Sequence, residues 1–159
     1  MTKNDSTASS SAKVTASKYL TFTLSNEVYA IEITRVKEII GLHEITLVPQ
    51  APKYVKGVIN LRGKVVPVID LRLKFGLPSE DYTERTCIIV LEVAMDGGVL
   101  EYTGVVVDAV SEVINIDTGN IEPTPPLGVQ VDTEYILGMA RMGDRVRILL
   151  DIDRALGAE

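Results

Sequence analysis

The chain has no tryptophan, one cysteine, one histidine and only 5% aromatic residues. It also lacks any apolar run approaching the roughly 18 residues that a membrane-crossing helix needs. Each shortage removes a class of function. Cys87, alone inside the apolar run CIIVL, cannot form an internal disulfide and fits the role of a small buried hydrophobe. His43 cannot by itself furnish a histidine metal site or a serine triad, and there is no cysteine pair or HExxH, so we expect neither metal nor other cofactor. Few aromatic rings leave few platforms on which bases or sugars could stack. The net charge is −6 with both signs interspersed, and nucleic acids and anionic membranes both select for a clustered basic face, so neither is expected as a partner. A charged-then-apolar leader pattern is missing from the N-terminus, and the expectation is a cytoplasmic protein.

What the chain does contain is 46% apolar residues in 159, enough for one compact domain or two small lobes sharing a core. It also contains itself twice. The segment GVINLRGKVVPVIDLRLKFG, from Gly57 to Gly76, lies without gaps over GMARMGDRVRILLDIDRALG, from Gly138 to Gly157. Gly57 meets Gly138, Val65 meets Val146, Asp70 meets Asp151 and Gly76 meets Gly157. Upstream, Ile31, Val36, Glu38, Ile39, Ile40 and Pro49 recur at a second constant offset as Val105, Val110, Glu112, Val113, Ile114 and Pro123. The offsets differ because LGVQVDTEYIL stands where the first half has the short KYVK. Twofold repetition suits a duplicated β-barrel better than a solenoid, which needs three or more repeats to cover its faces.

Residues 1–17 are rich in serine and threonine and predict a disordered tail. From Lys18, Leu20, Phe22 and Leu24 alternate with threonines as in a half-buried strand, and Ser25-Asn26 predicts a turn into Val28–Ile33. The spacing of Ile33, Val36 and Ile40 after Thr34 predicts one or two helical turns ending at Gly41. Val65–Ile69, almost continuously apolar, predicts a strand buried on both faces but limited by Pro67. Asp70 and Asp151 each stand where a strand hands over to a short helix and predict N-caps rather than a catalytic dyad. In the second half, Thr86–Val93 and Leu100–Val107 predict strands joined through Asp96-Gly97-Gly98; a hairpin turning at Gly143-Asp144 and a helix over 152–156 follow. About ten short strands with brief helices make the fold all-β, with lobes at about 18–80 and 84–150.

Asp117-Thr118-Gly119 is the tripeptide of aspartic proteases, enzymes that need two carboxylates sharing a proton. The matching position in the first half is His43, so the second acid is missing and a polar turn is the better reading; a hydrolase is the rival class. Two charged residues stand out among apolar ones. Glu38 sits among Val36, Ile39 and Ile40, and Arg62 occupies a hairpin tip where the turn itself needs no cation.

The blocks KYLTFTLSNEVYAIEITRVKEII, PKYVKGVINLRGKVVPVIDLRLKFG, GVVVDAVSEVINI and YILGMARMGDRVRILLDIDRAL, in this order over about Lys18–Leu156, resemble the CheW-like domain family of bacterial chemotaxis. The core pattern GVxNLRGxxxPVxDLR is highly specific to it. The resemblance implies two five-stranded SH3-like barrels around a shared core. It also implies a non-enzymatic adapter joining the CheW-like regulatory domain of the histidine kinase CheA to the cytoplasmic tips of chemoreceptors. With neither kinase catalytic region nor receiver domain in the sequence, a free-standing coupling protein is expected, monomeric alone and built into rings or arrays with its partners. Carried over by position, the receptor side would use Val36, Arg62, Cys87, Gly104, Val110 and Val113, and the kinase side Ile33, Glu38, Ile39 and Leu127. Two places depart from the family pattern: the hairpin VAMDGGVLEYTG is longer than usual, and Leu127 stands where a bulky aromatic can occur. A coupling module of another chemosensory pathway fits the same blocks.

Overall fold

A computed structural model describes residues 16–78, 80–123 and 133–157. The first half forms β1 (Ala16–Leu24), β2 (Glu27–Glu32), β3 (Val36–Gly41), β4 (Val55–Leu61), β5 (Lys64–Asp70) and a one-turn helix α1 (Leu71–Lys74). The second forms β6 (Cys87–Ala94), β7 (Leu100–Val107), β8 (Ala109–Asp117), the two-residue β9 (Ile121–Glu122), β10 (Ile136–Met142), β11 (Arg145–Leu150) and α2 (Ile152–Leu156). Apart from β9, each half runs three strands, a loop, two strands and a short helix, as the internal repeat predicts. The tail expected over 1–17 falls outside the described residues up to position 15. Strand pairing starts at Ala16, opposite Asp117, two residues earlier than the alternation suggests.

Among the described residues eleven strands make two sheets, in the orders β8-β1-β2-β11-β10-β9 and β3-β6-β7-β5-β4. Each sheet takes the first two strands of one half and the later strands of the other. The lobes expected at about 18–80 and 84–150 therefore divide the repeat but not the sheets. A strand's own pattern records which face is buried and not which strand lies beside it, so an exchange between two similar halves leaves no local trace. The exchange is reciprocal, since the two parallel contacts, β2 with β11 and β5 with β7, are repeat equivalents.

Apolar side chains fill three layers. Between the sheets lie Leu20, Phe22, Leu24 and Ile31 against Ile89, Leu91, Val93, Val105 and Val107, closed at the ends by Leu71 and by Ile152, Ala155 and Leu156. The outer layers are Ile59, Leu61, Val66, Val68, Ile88, Val90 and Val106 in one subdomain, and Tyr19, Ala30, Ile116, Ala140 and Leu149 in the other. Each fully buried Val, Leu, Ile or Phe contributes about 1.5–3 kcal/mol against about 0–1 for an exposed ion pair, so the shared layer holds the molecule together.

Two local expectations are corrected. Residues 33–35 form a single 3-10 turn, after which Val36–Gly41 is a strand rather than a helix. Half-buried and exposed positions alternate along it, and Val36 and Ile40 pair with Leu91 and Ile88 of β6. Glu38 at an inward position masked the two-residue period. β5 is buried mainly on one face: Val66, Val68 and Asp70 point in, while on the other Val65 is 70% exposed, Pro67 faces out and only Ile69 is half-buried against the shared core. Pro67 pairs only with Val58 of β4, because β7 joins β5 no earlier than Val68. Its missing N–H therefore costs no ladder bond.

The capping prediction holds. The Asp70 carboxylate accepts from the N–H groups of Arg72 (3.0 Å) and Leu73 (3.4 Å), and Asp151 accepts from Arg154 N–H (3.2 Å). Each helix is then tied down by a forked ion pair. Arg72 donates from Nε to Asp108 Oδ1 (2.8 Å) and from Nη2 to Oδ2, while Arg35 donates from Nη1 to Asp153 Oδ2 (3.1 Å) and from Nη2 to Oδ1. Asp153 also accepts Ala94 N–H at 2.9 Å. Burial pushes its carboxyl upward, but the hydrogen bonds from Arg35 and Ala94 and the Arg35 charge outweigh that and hold it below the usual range. A depressed native value stabilises the fold above the unfolded value and is lost as pH falls through the folded one. In thermal melts from about pH 5 down to pH 2, Asp153→Asn is expected to flatten the fall in Tm seen for the unaltered chain. Parallel slopes would remove Asp153 from the acid response.

Candidate functional site

The Arg62 side chain is presented by backbone geometry. Arg62 and Gly63 both take left-handed conformations, φ 51° and 85°, forming the two-residue turn that matches the strand twist of a hairpin. Asn60 Oδ1 accepts Gly63 N–H at 2.7 Å and braces the turn. The Arg62 side chain is 72% exposed, yet it does not stand alone. Its guanidinium forks onto Glu38, Nη1 to Oε1 at 3.4 Å and Nη2 more closely to Oε2. That hydrogen bond, with the carboxylate's charge, raises the guanidinium above its ordinary value. β3 and β4 are the outer strands of their sheet, so the ion pair reaches from the β4–β5 hairpin to the opposite edge.

The arrangement joins residues that sequence reasoning assigned to different partners, since Arg62 came from the receptor set and Glu38 from the kinase set. Ile39, next to Glu38, is 45% exposed and available to a partner. Ile33 and Val36 are half-buried against the shared core and offer only part of their surface.

The remaining receptor residues lie elsewhere. Cys87 opens β6 opposite Gly41 and Val107 and is half-buried. Burial pushes its thiol up, opposed by a hydrogen bond with the backbone of Val110, so Cys87 and Val110 touch. Val113, further along β8 and opposite Leu20, is 49% exposed. Val36 pairs with Leu91 and thus sits at the far end of the β3–β6 contact from Cys87, roughly 13 Å along the strand. Gly104 is a correction to the surface set. It is buried in mid-β7 between Val68 and Val90, where an added Cβ would lie 2.9 Å from Ile88 Cγ2. Its task is close packing, and it presents no side chain to a partner. Leu127 lies outside the described residues.

Sequence reasoning passed over Leu47 and Val48, which precede Pro49 with 77% and 43% exposure beside Leu42 at 41%. The available signal was apolar residues clustered before a proline, in a stretch that alternates with neither helix nor strand period. The reading of β5 as doubly buried likewise hid Val65.

The acids are occupied by structure. Asp70 accepts Tyr82 Oη–H (3.1 Å) in addition to its capping bonds. Asp117 is exposed at the end of β8, and Thr118–Asn120 form a 3-10 turn, as the polar-turn reading expects. Among the described residues no three His, Cys, Asp or Glu side chains group as metal ligands, and no helix is long and apolar enough to cross a membrane. The arrangement of exposed apolar residues around a solvent-facing ion pair suits protein recognition, in which apolar contact supplies affinity and charge sets register.

Comparison with known proteins identifies the family. The family model described as CheW-like domain matches residues 18–159. The chemotaxis protein CheW of Klebsiella aerogenes is 42% identical over 142 residues, spanning 89% of this chain and 82% of the relative. That of Bacillus subtilis is 37% identical over 146 residues, spanning 91% and 90%. The crystal structure of the scaffolding protein TtCheW from Thermoanaerobacter tengcongensis superposes with a TM-score of 0.78 at 37% identity, covering 87% of this chain and 91% of that one. With a family model matching residues 18–159, relatives at 42% and 37% identity and a solved scaffold superposing at a TM-score of 0.78, the chain belongs to the CheW-like domain family of chemotaxis scaffold proteins.

Proposed function

We propose that this chain is a non-enzymatic cytoplasmic adapter that couples the cytoplasmic tips of chemoreceptors to the CheW-like regulatory domain of the histidine kinase CheA. The observation that carries the reading is the Arg62–Glu38 ion pair, which links the two surfaces the family resemblance assigns to the two partners. A receptor tip is a helical hairpin whose apolar stripe can lie along the seam marked by Cys87, Val110 and Val113, with Arg62 setting register through a rim carboxylate. The kinase domain meets the outer edge of β3 at Glu38 and Ile39. Each partner then sees an edge strand, and the ion pair lies between the two contacts.

Because the kinase's own CheW-like domain also has two unlike lobes, contacts between lobes can alternate head to tail and close into rings. Individually weak contacts gain from being held together. The test is co-capture: immobilised kinase regulatory domain retains a receptor signalling fragment only when this chain is added. Retention of the fragment by the kinase domain without this chain, or release of one partner when the other is supplied, would count against the reading.

A further inference from the structure

The two ion pairs that dock the short helices occupy equivalent places in the two halves with their signs exchanged. Arg72 of α1 and Asp153 of α2 each stand two residues after a capping aspartate, Asp70 or Asp151. Arg72 reaches Asp108, between β7 and β8; Asp153 reaches Arg35, immediately before β3. Both target junctions lie between the second and third strands of a half, and each pair ties the helix of one half to the junction of the other.

The rest of the construction is also shared. Both forks are two-pronged, and each arginine further donates to a carbonyl, Arg72 to Pro78 O (3.3 Å) and Arg35 to Glu92 O (3.0 Å), while Arg72 also donates to the exposed carboxylate of Glu80 (3.2 Å). Each aspartate also accepts one N–H from the end of a hairpin, Ser25 for Asp108 (2.8 Å) and Ala94 for Asp153 (2.9 Å). Arg72 is nearly buried, its side chain 9% exposed, and Asp108 is 28% exposed; Arg35 and Asp153 are 23% and 36% exposed.

We infer that the exchanged signs of these two pairs make unlike halves dock on each other and exclude pairing of like halves from two copies of this chain. The apolar layers cannot make that choice. Their repeat-equivalent residues are chemically alike, with Leu71 answering to Ile152 and Ile31 to Val105. Because every sheet is assembled from both halves, a half that meets its own kind from a second chain finds suitable strand edges and apolar faces. The helix positions differ. Joining two first halves sets Arg72 against Arg35, and joining two second halves sets Asp153 against Asp108. Like charges facing each other in a partly desolvated contact penalise the wrong partner more than a correct surface pair rewards the right one.

The experiment is refolding of the full chain from denaturant at low and high protein concentration, with the product resolved by size-exclusion chromatography and light scattering. The variant Arg35→Asp with Asp153→Arg keeps an arginine–aspartate pair but gives both helices arginine and both junctions aspartate. Its yield of monomer is expected to fall severalfold, with dimers that increase with concentration. A core variant chosen for a larger loss of stability, Ile89→Ala at a fully buried position, is expected to refold to monomer normally. Adding Arg72→Asp and Asp108→Arg, with every variant carrying Glu80→Gln so that position 72 faces no second carboxylate, exchanges the second pair too, so the signs are opposed again and monomer yield recovers. The four-substitution variant shares the lost Ala94 contact with the two-substitution variant, so that loss cannot explain a difference between them. Normal monomer yield from the two-substitution variant, or equal failure of both, would overturn the inference.

Discussion

Gly57→Ala is expected to lower the midpoint of thermal unfolding, followed by circular dichroism, by about 10 °C, a loss of roughly 3 kcal/mol at this chain length. Gly57 lies in β4 at φ 146°, a conformation that side chains strain to adopt, and at a break in the β4–β5 register between Val55 and Gly57. A Cβ there would sit 2.1 Å from Thr46 O and 2.8 Å from Ile45 Cγ2. The first of these is backbone, which cannot swing aside as a flexible side chain can. Thr46 is held to Val58 by two hydrogen bonds, 2.9 Å to its carbonyl and 2.8 Å from its N–H. Making room for the methyl group breaks that bridge and loosens the stretch bearing Leu47 and Val48. A midpoint within about 2 °C of the unaltered chain, under 1 kcal/mol, would mean that the approach at Thr46 relaxes without cost.

Arg62→Glu is expected to weaken binding of both partners by about tenfold or more in calorimetric titrations while leaving the Tm nearly unchanged. From sequence, the same reversal should affect the receptor side alone. The ion pair changes that expectation, because a glutamate at position 62 faces Glu38, and repulsion displaces the carboxylate assigned to the kinase contact. The exposed arginine stabilises the fold little, so the effect is on recognition. Restoring opposite charges with Glu38→Arg alongside Arg62→Glu is expected to recover folded-state geometry at the hairpin. It should not recover full binding, since each partner then meets the wrong sign. A loss confined to the receptor fragment would show that the two contacts are independent despite the bond between them.

What could be read from the sequence follows from the range of each interaction. Asp70 and Asp151 were legible as caps because the groups they satisfy lie within three residues, and the Arg62-Gly63 turn because a hairpin tip is a local geometry. The repeat was legible because it compares the chain with itself. Strand exchange was not, since the partners of β1 and β2 lie far along the chain and resemble the partners they would have had within their own half. The same gap hid the pairing of Arg62 with Glu38, neither of which is patterned for the other. Gly104 was placed at the surface by resemblance alone, and only the side chains of Ile88 and Val68 around it show that it belongs to the interior. The helical turns expected after Thr34 give no reason for Glu38 to meet Arg62; in the structure it occupies a half-buried place on an edge strand, within reach of Arg62.

The central claim is that two partners occupy this small protein at once, on surfaces separated by a single ion pair. Sedimentation velocity of the chain mixed with the kinase regulatory domain and a receptor signalling fragment measures this directly. The account predicts a species whose mass is the sum of all three components. A mixture containing only the two binary complexes, each depleted as the other partner is added, would contradict it.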